Sequence, residues 1–430
     1  MSYCVRLCLI WSIVFLRGGL LLSADAPPVL SLPGDSQLPE SGVENPSLTS
    51  FDAMMRDFVH THKVPGAVLA VAQDGRLVYA RGFGYADLDD RSAVEPDALF
   101  RIASISKPIT ACAILQLAEK RKIALDDPAF EQLGVELTGA SHDPRLEAVT
   151  VLQLLQHTGG WDRNQSFDPM ARGHREATMK KYGLSYPFDP SFMVRSMLDR
   201  PLDFAPGSRY AYSNFGYCVL GRLIAKASGG SYESYVLKNL LNPIGVRRMK
   251  IGRRDQFDAE EVRYYTRDSS GSKNFIEAQD IAVEIFESHG GWIGSAIDLV
   301  RFANENDESV AAARRGRRQI VRPDTLQKMF ARPGGNVSRD ADGKPKPAFY
   351  GCGWEVRPKQ RGRNIWHTGS LSGTSSLVVR RHDGLCWAVL FNVRENAEGK
   401  GLAQIIDPLI HRAADAVDDW PTRLDLFRRY

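Results

Sequence analysis

Residues 66 to 84 read "GAVLAVAQDGRLVYARGFG", and the fold class follows from how this stretch is built. Two β-prone runs flank Asp74-Gly75, and Asp-Gly suits a tight hairpin because both turn positions need positive φ. A second stretch of the same design, "SSLVVRRHDGLCWAVLFN" at residues 375 to 392, sets Asp383-Gly384 between its runs. The two predicted hairpins therefore stand near opposite ends of the chain. "FYGCGWEV", residues 349 to 356, adds a fifth expected strand. "LTSFDAMMRDFVHTH" before the first hairpin and "GLAQIIDPLIHRAADAVDDW" after the last are patterned as helices. From about residue 125 to 290, amphipathic segments and turn residues dominate and strand-like runs are few. The expected fold is α+β: one antiparallel β-sheet built from both ends of the chain, flanked by helices, with an inserted all-α lobe.

The chain has 430 residues, enough for one large domain with an insertion or for two domains. Its net charge of +4 is mild and implies no polyanionic partner. The densest basic run, "RRGRRQIVR" from Arg314 to Arg322, has no aromatic residues interleaved, so it reads as a solvated segment and not as a nucleic-acid surface. Gly-x-Ser-x-Gly, His-Glu-x-x-His and phosphate-cradling glycine loops are all missing.

The N-terminus reads as an export signal. Arg6 supplies charge, "LCLIWSIVFL" (Leu7 to Leu16) is an apolar core too short to span a bilayer, and small residues follow at Ala24-Asp25-Ala26. Pro27 disfavours cleavage after Ala26, which leaves the bond after Ala24. Residues 1–24 are thus expected as a signal peptide, 25–50 as a linker, 51–415 as the main domain and 416–430 as a C-terminal tail. The mature protein is expected to be exported, periplasmic or secreted, with membrane contact only if the signal stays uncleaved. Cys112, Cys218, Cys352 and Cys386 sit in apolar segments and read as buried thiols. A Cys352–Cys386 bridge between neighbouring strands stays open.

Chemistry concentrates in "ALFRIASISKPITACAILQLAEK", residues 98 to 120. A helix apolar on nearly every side belongs in an interior. Ser104 and Lys107 fall on one face at its start, and Pro108 lies in the opening turn, where a missing N–H costs least. A desolvated lysine has a lowered pKa and accepts a proton from a nearby hydroxyl. The pair therefore describes an activated serine nucleophile. A second Ser-x-x-Lys, Ser270 to Lys273, lacks apolar periodicity and reads as a surface loop. Tyr212-Ser213-Asn214 precedes an apolar helix ended by Gly229-Gly230. Taken alone, Asn214 fits an N-cap as well as a site residue. His-Thr-Gly occurs twice, at His157 and at His367.

Ser104-x-x-Lys107, Tyr212-x-Asn214 and His367-Thr368-Gly369, in that order, resemble the three motifs of the penicillin-recognising serine hydrolases. The resemblance is to the class C β-lactamase-related branch, with its D-alanyl-D-alanine carboxypeptidases, D-aminopeptidases and lactamase-like esterases. It runs from about residue 51 to 415 and includes "VPGAVLAV", "LLQHTGG", "YAYSNFGY" and "GGWIGSAIDLVRFA". It implies a β-lactamase/transpeptidase-like fold and an acyl-enzyme on Ser104. Lys107 and Tyr212 would share the general-base work, and which of them takes the proton stays open. Asn214 would orient the substrate amide or Lys107. His367, Thr368, Gly369 and Ser370 would bind substrate, with the N–H groups of Ser104 and Ser370 as oxyanion hole. No metal or cofactor is implied. Motif order assigns the site to Ser104 and His367, and leaves His157 as a structural turn that closes a helix.

In the third motif His367 stands where β-lactamases carry lysine. A histidine of ordinary pKa is partly cationic at pH 7 and would grip a carboxylate less firmly. The expected activity is therefore that of a carboxypeptidase or esterase ahead of a true β-lactamase. The partner is a small-molecule or peptide substrate: an acyl-D-amino acid, a β-lactam or an ester. A different class also stays open, a hydrolysis-incompetent relative that binds cell-wall peptide. The segment Trp161 to Arg200 is placed to border the cleft.

Overall fold

Residues 25–50, expected as a linker, contribute two strands to the body: β1 (Leu30–Ser31) and β2 (Glu40–Gly42). The computed structural model describes residues 29–32, 38–137, 142–269, 274–278, 281–307 and 319–430. The expected signal peptide, Ser270 with Lys273, and most of the run from Arg314 lie outside the described residues.

Helix α1 (Thr49–Thr61) buries Phe51, Met55, Phe58 and Val59, a stripe at helical spacing, against the first hairpin. That hairpin pairs β3 (Gly66–Gln73) with β4 (Arg76–Gly84). Asp74 and Gly75 both take positive φ, 48° and 75°, as a two-residue loop requires. Successive residues of β3 alternate between two cores. Val68, Ala70 and Ala72 join one hydrophobic cluster, and Ala67, Leu69 and Val71 join the other. A strand buried on both faces reads as a continuous apolar run, which explains "AVLAVA".

On the α1 face, Arg81 of β4 is almost fully buried and paired. Its Nη1 lies 2.8 Å from Asp52 Oδ1 and its Nη2 lies 2.9 Å from Glu40 Oε2. Tyr79 Oη donates to the same Asp52 oxygen at 2.7 Å. β2 therefore closes the sheet edge with a charge network as well as with backbone pairing to β4.

β5 (Phe100–Arg101) leads into α2 (Ser106–Glu119), whose residues from Ser106 to Leu117 are all buried. The inserted lobe follows: α3 (Ala129–Leu133), α4 (Val151–Leu155), α5 (Arg172–Tyr182), α6 (Ser191–Ser196), α7 (Asn214–Ser228) and α8 (Tyr232–Val236). Beyond α8 the expected helical lobe gives way to short strands: β6 (Lys250–Ile251), β7 (Tyr265–Arg267), β8 (Asn274–Glu277) and β9 (Trp292–Gly294). They form two small sheets, β1-β8-β7 and β5-β9-β6, which tie the lobe back to the N-terminal segment and to the strand before α2. α9 (Glu287–Gly290) precedes β9, and α10 (Ala296–Asn304) follows it behind a capping box of Ser295 and Asp298.

The single strand expected at "FYGCGWEV" is two: β10 (Phe349–Tyr350) and β11 (Glu355–Pro358). Between them Gly353 takes φ 81° and packs on the first turn of α2, where a methyl group would meet the Ala111 side chain at 2.6 Å. β12 (Arg363–Leu371), β13 (Thr374–Arg380) and β14 (Leu385–Phe391) complete an antiparallel sheet in the order β10-β11-β12-β13-β14-β3-β4-β2. The β13–β14 turn is longer than the two residues expected from Asp383-Gly384. Gly384 alone is left-handed, with φ 88°, and the Arg381 N–H closes on the Leu385 carbonyl at 2.7 Å. This is a turn ended by a left-handed glycine bulge.

A helix over Leu402–Asp415 covers the α1 face of the sheet. The expected tail is also docked: Asp425 Oδ1 accepts from the Leu77 N–H at 3.2 Å, and Arg301 lies over the Phe427 ring at 4.1 Å. All four cysteines of the described body are buried and unbridged, so the Cys352–Cys386 alternative does not form.

Candidate active site

Ser104 sits in one 3-10 turn, Ala103–Ile105, between β5 and α2. Ala103 just before it has φ 48°, a left-handed conformation that costs a non-glycine residue free energy. The strain is held by packing. Ser106 Oγ donates to the Ala103 carbonyl at 2.7 Å. Gly369 of β12 presses on the same segment, and a methyl group there would collide with Ser376 Oγ and the Ile102 carbonyl. The third motif's glycine thus lets the strand approach the turn that carries Ser104.

Lys107 is wholly buried in the first turn of α2. Its Nζ lies 3.2 Å from Ser104 Oγ, 2.9 Å from Asn214 Oδ1 and 2.9 Å from the His289 carbonyl. Burial holds its pKa well below the ordinary lysine value, with Asp168 opposing and Arg163 adding to the shift. A neutral amine beside a serine hydroxyl is a proton acceptor.

Tyr212 also hydrogen-bonds Ser104, and Lys107 Nζ lies 4.7 Å from the centroid of its ring. Burial pushes its phenol pKa up, and the Ser104 contact only partly offsets that. The phenol stays protonated. Ser213 Oγ caps α7 by accepting from the Gly216 N–H at 3.2 Å, so the N-cap is Ser213 and not Asn214. Asn214 is freed for the site. Its amide oxygen accepts from Lys107, and its Nδ2 donates to Asp168 Oδ2 at 2.7 Å. Of the two roles expected for Asn214, the geometry serves the positioning of Lys107.

The third motif departs from expectation. His367 lies in mid-strand and is buried. Its Nδ1 donates to the Thr368 carbonyl at 2.7 Å, which leaves Nε2 to accept from Tyr350 Oη at 3.0 Å. Burial drives its pKa down to about 3, so it is neutral at pH 7 and not partly cationic. Thr368 and Ser370 are exposed, and Gly369 is buried.

His157 is more than a turn residue. It does follow α4, with φ 57°, but its ring lies behind Tyr212, the centroids 4.3 Å apart. Tyr350 and Tyr217 enclose it at 4.5 and 5.0 Å. Its Nδ1 accepts from the Ser213 N–H at 3.1 Å, tying the imidazole to the Tyr-x-Asn backbone.

These groups meet at a pocket of about 240 Å³ lined by Ser104, Tyr212, Asn214 and Ser370, with Arg163 and Asp168 from the loop after Trp161. Arg175 and His289 also border it. The Trp161–Arg200 segment therefore does flank the cleft. Sequence reasoning singled out neither Asp168, Arg163 nor His289, because no motif marks them. Among the described residues, no group of three or more His, Cys, Asp or Glu is arranged to hold a metal ion.

Residues 51–408 match the family model described as Beta-lactamase. Penicillin-binding protein 4* of Bacillus subtilis is 26% identical over 339 residues, which cover 75% of this chain and 66% of that protein. Esterase EstB of Burkholderia gladioli is 30% identical over 261 residues, covering 59% of this chain and 61% of EstB. The chain thus spans slightly under two thirds of either relative's length. Among solved structures, the octameric penicillin-binding protein homologue from Pyrococcus abyssi superposes with a TM-score of 0.65 at 25% identity, over 88% of this chain and 79% of that one.

Proposed function

The chain belongs to the Beta-lactamase family of serine hydrolases, and from that premise we propose that it is an exported enzyme that forms an acyl-enzyme on Ser104. The observation that carries the reading is the contact between a wholly buried Lys107 amine and Ser104 Oγ, 3.2 Å apart. Oγ attacks the acyl carbon as the neutral Lys107 takes its proton. Tyr212, kept protonated by burial, passes a proton to the leaving group and regains one from Lys107. Water then attacks the ester, gives its proton to Lys107, and the acid departs as Oγ is reprotonated. The Ser104 and Ser370 N–H groups receive the developing oxyanion, a role typically worth about 3 kcal/mol per donor.

Export rests on the apolar run Leu7 to Leu16 and the small residues that follow. A neutral His367 engaged with Tyr350 lacks the charge by which a lysine on the third-motif strand would hold a carboxylate, which favours a substrate, ester or peptide, whose anionic group, where it has one, is held elsewhere in the pocket.

The test is the intact mass of the mature protein after incubation with a penicillin and, separately, with an activated short-chain ester, beside Ser104→Ala. An adduct or ester turnover lost in the variant supports the reading. A protein inert to both, and indistinguishable from Ser104→Ala, would favour a binding protein instead.

A further inference from the structure

With His367 neutral and engaged, the cations left at the pocket are Arg163 and Arg175. Arg175 is committed. It is buried, its Nη1 donates to the Met170 carbonyl at 2.6 Å, its Nε to Tyr186 Oη at 3.3 Å, and its guanidinium lies against Phe286. Asp168, the pocket's carboxylate, is also committed, to the Asn214 amide and the Met170 N–H. Arg163 differs. Its guanidinium carbon lies 5.1 Å from the centroid of the Tyr212 ring, and no ion pair joins it to a described carboxylate.

Its surroundings are rigid. Trp161 is buried against Phe215, with ring centroids 4.9 Å apart. The Asp162 N–H donates to Asp203 Oδ2 at 2.7 Å, and the Asp162 carboxylate pairs with Arg209 at 2.6 Å. The Asn164 N–H returns to Asp162 Oδ1 at 2.9 Å. Both flanks of Arg163 are therefore pinned while its own donors stay available. A guanidinium laid on an aromatic face keeps its edge free for two parallel bonds to a carboxylate.

We propose that Arg163 binds a carboxylate carried by the substrate of Ser104, so that anionic acyl substrates are preferred over uncharged ones of the same shape. Anion recognition here belongs to the loop after Trp161 and not to the third-motif strand. This rests on the serine-hydrolase reading above and names its substrate class.

Two probe pairs test it. One sets the carboxylate on the acyl side: 4-nitrophenyl hemisuccinate against its methyl ester. The other sets it on the leaving group: 4-acetoxybenzoate against 4-acetoxybenzamide. In at least one pair the wild type has the higher kcat/KM for the anion, by roughly tenfold, the size of one charge-assisted contact. Arg163→Gln abolishes that preference through KM, Arg163→Lys restores part of it, and added salt weakens it. Turnover with no charge preference in either pair, or an equal loss on charged and uncharged probes in Arg163→Gln, overturns the proposal and leaves the hydrolase reading intact. Wild type no faster than Ser104→Ala on all four probes overturns both.

Discussion

The His157 ring stands 4.3 Å from the Tyr212 ring, and its Nδ1 holds the Ser213 N–H one residue further on. One buried side chain thus fixes both the back of the phenol and the backbone that presents it. His157→Phe keeps the ring and removes the acceptor. The orphaned N–H is expected to lower stability by about 1–3 kcal/mol, and the loosened phenol to lower kcat more than it raises KM. Urea unfolding and steady-state kinetics of the variant check both effects.

Under the proposed mechanism, Lys107 and Asp168 together are expected to set the acid limb of the rate profile. The neutral amine is the active form, so kcat/KM rises as pH rises through the lowered Lys107 pKa. Asp168 favours the charged form and therefore holds that pKa up. Asp168→Asn is expected to move the acid limb to lower pH. Lys107→Ala is expected to cost about 10²–10⁴-fold in kcat, the range of a positioned general base. A limb unmoved in Asp168→Asn would separate it from Lys107.

His367 makes stability sensitive to acid. Its folded pKa is about 3, against an ordinary 6.5. As pH falls from 6.5 toward 3 the unfolded chain takes up a proton that the folded one refuses, so stability is lost across that window and is intact above it. His367→Gln removes this contribution. The fall in urea midpoint between pH 7.5 and pH 5 is expected to be smaller in the variant than in the wild type.

Asp52 accepts from both Arg81 and Tyr79 in an apolar setting. Asp52→Ala leaves a nearly buried guanidinium with fewer partners, a change that costs about 3–5 kcal/mol when a pair is broken from one side. Because Glu40 still holds Arg81, the lower end is expected. Replacing both members, as in Asp52→Leu with Arg81→Met, recovers part of the loss in the same unfolding measurement.

What the sequence disclosed was local. The all-round apolarity from Ile105 to Leu115 located a buried helix, and with it the buried lysine beside Ser104. Asp74-Gly75 located a turn that needs two positive φ values. The β10–β11 break was hidden because Gly353 acts through a close approach to α2 and Gly351 through one to the Met329 carbonyl, which no periodicity records. β2 was hidden because "ESG" is a strand only by virtue of its pairing with β4. Asp168, Arg163 and His289 reach the pocket through tertiary packing and follow no spacing rule. The ionisation of His367 was misjudged for a related reason. Burial sets it, and a residue's own letter does not report how much water surrounds it.

β14 lies between β13 and β3, with Leu385 opposite Gln73 and Phe391 opposite Ala67. On a ribosome, the first hairpin therefore emerges with one edge open and waits for nearly the whole remaining chain before that edge is covered. Pairings this distant are slow to form and leave a β-edge exposed to other nascent chains meanwhile. Ser104 depends on the same late event, since the glycine that braces its turn arrives on β12. Ser104 is translated early, yet the arrangement around it comes into being only at the end of folding, so under the proposed mechanism a prematurely terminated chain carries the serine without the reactivity.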